Sequence, residues 1–161
     1  MIGHREHAAE LLRGAESRTG CPLDLVLAFT MHAQDRLHNG KLQRWVGALA
    51  MWLAIDQQHI WILNGRPLPG PHASREARRA LRNAPAIGSV WDKLPRTGLT
   101  LNSTARRRSH TLELSWPREL RLITGELHGP AAAREQLTGL LAGDELRILP
   151  LNAKNLRKEQ P

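Results

Sequence analysis

Between residues 23 and 123, segment after segment of the chain places apolar side chains at every second position, and a single amphipathic helix follows them. Period two is the signature of a half-buried strand. Leu23, Leu25, Leu27, Phe29 and Met31 share one face of the first such segment, with Asp24, Val26, Ala28 and Thr30 on the other. In Val46 to Ile55, the set Leu49, Met51, Leu53 and Ile55 opposes Ala48, Ala50, Trp52 and Ala54, so both faces of that strand are expected to be covered. The turn Asp56-Gln57-Gln58 leads into a partner strand, His59 to Asn64. Further strands are predicted over Ile87 to Leu94 and Thr97 to Asn102, with Leu99 and Leu101 inward, then Thr111 to Trp116 and Leu120 to Ile123. Seven strands with bare edges invite aggregation unless the sheet closes or a helix covers it. The alternation therefore constrains the chain to a mainly β, α+β fold: a seven-stranded antiparallel barrel or sandwich capped by a C-terminal helix.

Two more helices fit around these strands. Ala8, Leu11, Leu12 and Ala15 recur at spacings of three and four, predicting a helix over 4–16 that Gly20 and Pro22 end. Ser74 to Asn83 offers an N-cap serine, good helix formers and Pro85 beyond, and reads as a short basic helix inserted between strands. Gly129-Pro130 opens the closing helix, with Ala133, Leu137, Leu140 and Leu141 on one stripe and Gly143 as its C-cap. Loops are expected at His32 to Arg44, which holds the turn pair Asn39-Gly40, at Gly65 to Pro71, and at a polar tip, Ser103 to Arg108. Leu146, Ile148, Leu149 and Leu151 suit a last packed segment. No linker divides the chain, so 1–151 reads as one domain and 152–161 as a polar tail.

The formal net charge of +8 directs attention to anionic partners: acidic protein, anionic lipid surface or nucleic acid. Three basic clusters are candidates. Arg36, Lys41 and Arg44 flank a strand opening, where they could converge on a phosphate or line a solvated loop. Arg106, Arg107 and Arg108 crowd a hairpin tip, as an anion contact or as charges that keep edges apart. Arg75, Arg78, Arg79 and Arg82 share a broad helical face. For nucleic acid the aromatics are poorly placed, since Trp52, Trp61, Trp91 and Trp116 fall within strand patterns as packing residues and Trp45 alone reads as exposed. No apolar run approaches the ~20 residues needed to cross a bilayer, and the N-terminus lacks the apolar core of a secretory signal, so a cytoplasmic protein is expected. Cys21 is the single cysteine and excludes an intramolecular disulfide. His4, His7 and Glu10 drift around a helix and lack a fourth ligand; Asp56 with His59, and Ser109 with His110, lack a third catalytic partner. Neither metal, cofactor nor enzymatic activity is expected.

Seven strands ending in a capping helix resemble the pleckstrin-homology architecture. The run Leu49-Ala50-Met51-Trp52-Leu53-Ala54-Ile55-Asp56-Gln57-Gln58-His59-Ile60-Trp61-Ile62-Leu63 is similar to the strand-turn-strand of bacterial pleckstrin-homology-like proteins. Val90-Trp91-Asp92-Lys93-Leu94-Pro95-Arg96-Thr97-Gly98-Leu99-Thr100-Leu101 and Thr111-Leu112-Glu113-Leu114 resemble the later strands of actinobacterial members. The resemblance covers residues 23–142 and implies a non-enzymatic binding or scaffolding module. In many eukaryotic pleckstrin-homology domains the loop between the first two strands holds a phosphoinositide headgroup with a pattern like K-x(n)-R-x-R. Here Lys41 and Arg44 fit, and Val46 stands where the second Arg belongs. The resemblance assigns ligand contact to Arg36, Lys41 and Arg44, and the hairpin tip Arg106 to Arg108 joins them on charge. The alternative reading is a nucleic-acid-binding β-barrel, and the third a flavin-binding split-barrel enzyme. The sequence does not specify an oligomeric state.

Overall fold

The computed structural model describes residues 4–66, 70–83, 85–108 and 110–142. Its elements are α1 (His4–Thr19), β1 (Leu25–His38), β2 (Lys41–Ile55), β3 (His59–Gly65), α2 (Arg75–Asn83), β4 (Ile87–Pro95), β5 (Thr100–Ala105), β6 (His110–Trp116), a 3-10 turn (Pro117–Glu119), β7 (Arg121–Leu127) and α3 (residues 131–142). All strand pairings are antiparallel and make one sheet in the order β4-β3-β2-β1-β7-β6-β5. The seven-stranded sheet with N-terminal, inserted and C-terminal helices is the architecture that the alternation predicts. Gly143, the segment Leu146 to Leu151, the tail 152–161, Ser109 and residues 67–69 of the Gly65–Pro71 loop lie outside the described residues.

Each face of the first meander buries its own apolar set. Leu27, Phe29 and Met31 of β1, Met51, Leu53 and Ile55 of β2, and Leu112, Leu114 and Trp116 of β6 join one core. Leu137 and Leu141 of α3 insert into it, with Ala133 and Leu140 packed alongside. Two fully inserted leucines contribute about 4 kcal/mol of burial, enough to hold a helix this short against the sheet. On the opposite face Leu11, Leu12 and Ala15 of α1 pack with Val26, Ala54, Trp61, Leu63 and Ile87 in a second cluster. Ala8, expected in that stripe, is exposed. Gly20, at φ +73°, ends α1, its N–H donating to Glu16 O at 2.8 Å.

The ladder ends at β4 and β5, and side chains close the remaining gap. Arg121 of β7 ion-pairs with Asp92 of β4, although three strands separate them in the sheet order. Trp116 Nε1 donates to Pro95 O at 2.7 Å. Arg96, at the β4–β5 corner, donates to Leu140 O in α3 and to Asp56 O. The sheet is therefore curled, with α3 bonded to its rim.

The structure corrects three expectations. His32 to Arg44 is no loop: β1 continues to His38, β2 starts at Lys41, and only Asn39-Gly40 turns the chain, at φ of 51° and 77°. Positive φ at both central residues is the hairpin geometry that an Asn-Gly pair favours. The polar side chains concealed this strand because the hairpin outruns the core. Likewise Val46 to Ala50 is exposed rather than covered on both faces, because β3 pairs β2 only from Met51 to Ile55. The tip at Ser103–Arg108 is also shorter than expected, since β5 runs on to Ala105.

Candidate anion-contact surface on the first hairpin

Cross-strand pairing fixes which hairpin side chains share a face. His38 pairs with Lys41, Leu37 with Leu42, Arg36 with Gln43, Asp35 with Arg44 and Gln34 with Trp45. Alternation then sets Arg36, His38 and Lys41 on one face and Leu37, Leu42 and Arg44 on the other. Arg44 is committed within the hairpin: its Nε and Nη2 donate to Asp35 Oδ1 and Oδ2, both at 2.8 Å. This bidentate bond holds the Asp35 carboxyl below the usual carboxylate range and raises the guanidinium. Of the three candidates, Arg36 and Lys41 share a face, while Arg44 lies on the other as the counter-ion of Asp35.

Arg36 stands between two concavities. One, of about 380 Å³, is lined by Arg36, Leu37, Leu94, Trp116, Glu119 and Arg121, among others. The other, about 460 Å³, is lined by Gln34, Arg36, Gln43, Arg44 and Trp45. Burial, with the nearby charge of Arg36, pushes the Arg121 guanidinium below its ordinary value. One arm of Arg121 is tied to Asp92, and its Nε is buried with no hydrogen-bond partner among the described residues. The alternation of β7 could have flagged Arg121 and Ile123 as one face; that this face is the inner one emerges only from the pairing of Arg121 with Trp116 and of Ile123 with Leu114.

The tip of the hairpin is amphipathic. Leu37 and Leu42, direct cross-strand neighbours, are 49% and 59% exposed. Arg36, His38 and Lys41, all exposed, occupy its opposite face.

The second basic cluster lies elsewhere. Asp35 pairs with Leu122 at the start of β7, whereas His110, next to the Arg106–Arg108 tip, pairs with Leu127 at its end. The two clusters thus occupy opposite ends of β7. Arg106, Arg107 and Arg108 are exposed, as are Arg75, Arg78, Arg79 and Arg82 on α2. The hairpin's Trp45 is half-buried against the main core rather than free, and Trp61 and Trp116 are buried.

Asp56 and His59 are occupied structurally. Asp56 Oδ1 accepts from the N–H groups of Gln58 and His59 at 2.7 and 2.6 Å, closing the β2–β3 turn. Its Oδ2 accepts from Trp61 Nε1 at 2.8 Å and from the thiol of Cys21 at 3.6 Å. Burial opposes the charge, but these donors outweigh it and hold the carboxyl at about 2. The surrounding hollow, about 620 Å³, also takes in Lys93, whose Nζ stands 4.7 Å from the Trp61 ring centre. Among the described residues, no group of three or more His, Cys, Asp or Glu is placed to hold a metal ion, and no helix is long and apolar enough to cross a membrane.

Neither a family model nor a curated protein matches this chain.

Proposed function

We propose that the chain is a non-enzymatic, pleckstrin-homology-like binding domain that docks onto an anionic lipid surface through the tip of its first hairpin, in keeping with a cytoplasmic location. One observation carries this reading: Leu37 and Leu42 lie side by side and exposed on one face of the tip, while the other face of the same tip carries Arg36, His38 and Lys41. A membrane interface rewards that combination, with apolar side chains entering among the acyl chains and cations meeting the headgroups. Each basic residue near such a surface contributes about 1 kcal/mol at physiological salt. Arg36 also borders a concavity with Arg121, giving the tip a place for one headgroup oxygen cluster.

The test is co-sedimentation with vesicles of neutral lipid alone and with added anionic lipid. Binding should need the anionic lipid, weaken when Arg36 and Lys41 become Gln, and weaken again when Leu37 and Leu42 become Ser. Equal recovery with neutral vesicles, or none with either, overturns the reading. An acidic protein is the second reading, favoured by the same cations. It predicts that the Leu37 and Leu42 variant retains its partner while the Arg36 and Lys41 variant loses it. Nucleic acid is less well served, because Trp61 and Trp116 are buried and Trp45 is half-buried, leaving few faces for stacking.

A further inference from the structure

β2 has an open edge. From Lys41 to Leu49 no described strand pairs with it on the side away from β1, because β3 stops at Gly65 and the sequence beyond contains Pro67, Pro69 and Pro71, which lack the N–H a ladder needs. The other two sheet edges carry the usual safeguards. β4 holds Asp92, Lys93 and Pro95, and β5 presents Thr100, Asn102, Ser103 and Thr104. The open stretch of β2 instead reads Leu-Gln-Arg-Trp-Val-Gly-Ala-Leu over residues 42–49, with Val46 70% and Leu49 40% exposed. An edge this long and apolar is a template for another strand.

Charge selects the occupant. The single charged side chain within 42–49 is Arg44, and Asp35 already neutralises it. Over 42–49 the edge is therefore electrically neutral, with Lys41 at its outer end: this stretch offers an acidic peptide no unpaired cation, and it does not repel a copy of itself despite the net charge of +8. The sequence is also self-complementary about a two-fold axis at Val46. In that antiparallel register Val46 meets the second copy's Val46, Arg44 meets Ala48, and the bulky Trp45 meets Gly47, while Gly65 of β3 lies against the Ala50 carbonyl and ends the open stretch at Leu49. No like charges face each other, and the most exposed apolar side chain becomes buried. We infer that β2 pairs with β2 of a second copy of this chain, making a two-fold dimer through a continuous sheet. The two hairpin tips then point toward opposite ends of the pair, which gives one particle two such ends. The inference does not depend on the lipid reading.

Sedimentation velocity over a wide concentration range, without lipid, tests it. The protein should sediment as a dimer that dissociates on dilution. Val46→Lys, which opposes two ammonium groups at the axis, should raise the dissociation constant at least about tenfold. Thr104→Lys on the β5 edge should leave it unchanged. Val46 is exposed, so the variant keeps its fold, which circular dichroism verifies. Amide hydrogen exchange supplies the second readout: protection across 42–49 should rise with protein concentration. A monomer at every concentration, an unaltered constant in Val46→Lys, or protection independent of concentration, as when the chain's own residues cover the edge, overturns the dimer.

Discussion

The indole N–H of Trp116 donates to the main-chain oxygen of Pro95 at 2.7 Å, joining β6 to β4 where the ladder itself leaves the sheet open. Trp116 is 1% exposed, so its bond and its packing belong to the same buried site. Trp116→Phe keeps an aromatic ring but removes the donor and leaves the Pro95 carbonyl without it. Stability should fall by about 2–3 kcal/mol, from the lost bond together with the space left by the smaller ring. Urea unfolding checks it: the midpoint should drop with the slope preserved, and an unmoved midpoint contradicts the closing role given to this bond.

Gly125 of β7 faces Met31 of β1 and Leu112 of β6, with the Phe29 ring laid across it. A Cβ there would stand 2.3 Å from Phe29 Cζ and 2.5 Å from Thr30 O. The ring can swing away only by opening the core, and the carbonyl belongs to the β1 backbone. Gly125→Ala should therefore cost roughly 3 kcal/mol, as overpacking of a filled core does. Gly98→Ala, with open space around its Cβ position but a φ of +79°, tests strain alone and should cost less. Thermal melts of the two variants rank them, and equal losses would mean that packing at Gly125 is not the dominant constraint.

How far the sequence reaches depends on what each residue's neighbour is. Leu112, Leu114 and Trp116 announce their strand and its inner face because alternation is local, and all three are buried as a set. Ser74 is legible for the same reason, its Oγ accepting the Ala77 N–H at 3.1 Å as an N-cap should. The strand through His32 to His38 is hidden, because past the core neither face needs to be apolar. Asp35 and Arg44 are nine positions apart, and a register fixed by Asn39-Gly40 is required before they can be seen to meet. Cys21, Asp56 and Trp61 converge only once α1 has folded over the β2–β3 turn. Likewise Arg36 and Arg106 are equally basic on paper, and topology alone sends them to opposite ends of β7.

Asp56 makes stability pH-dependent in a defined window. Its carboxyl is lowered from 3.8 to about 2 in the fold. A depressed carboxylate contributes stability that is fully present above its unfolded value and is lost as pH falls through the folded one, so the loss runs from about pH 4 down to about pH 2. The shift corresponds to about 1–2 kcal/mol after allowance for solvent screening. Asp56→Asn should lower stability at neutral pH and flatten the acid limb of a stability–pH curve measured by denaturant unfolding. A parallel curve for the variant would assign the acid loss to other carboxylates.

Asp35 restrains the hairpin's third cation. Two bonds of 2.8 Å hold the Arg44 guanidinium against its carboxylate, and Arg44 remains two-thirds exposed, at 66%. Asp35→Asn keeps the shape, removes the negative charge and releases Arg44 to the surface beside Leu37 and Leu42. If the tip docks on anionic lipid, one additional available cation should tighten vesicle binding about fivefold and steepen its decline with salt. The opposite variant, Arg44→Gln, should lower stability by leaving the Asp35 carboxylate without its charged partner, and should leave vesicle affinity close to the parent because Arg44 is already neutralised. Titrating both variants with anionic vesicles at two salt concentrations separates these outcomes. Loss of binding in Arg44→Gln equal to that caused by removing Lys41 would show that Arg44 contacts the lipid despite Asp35.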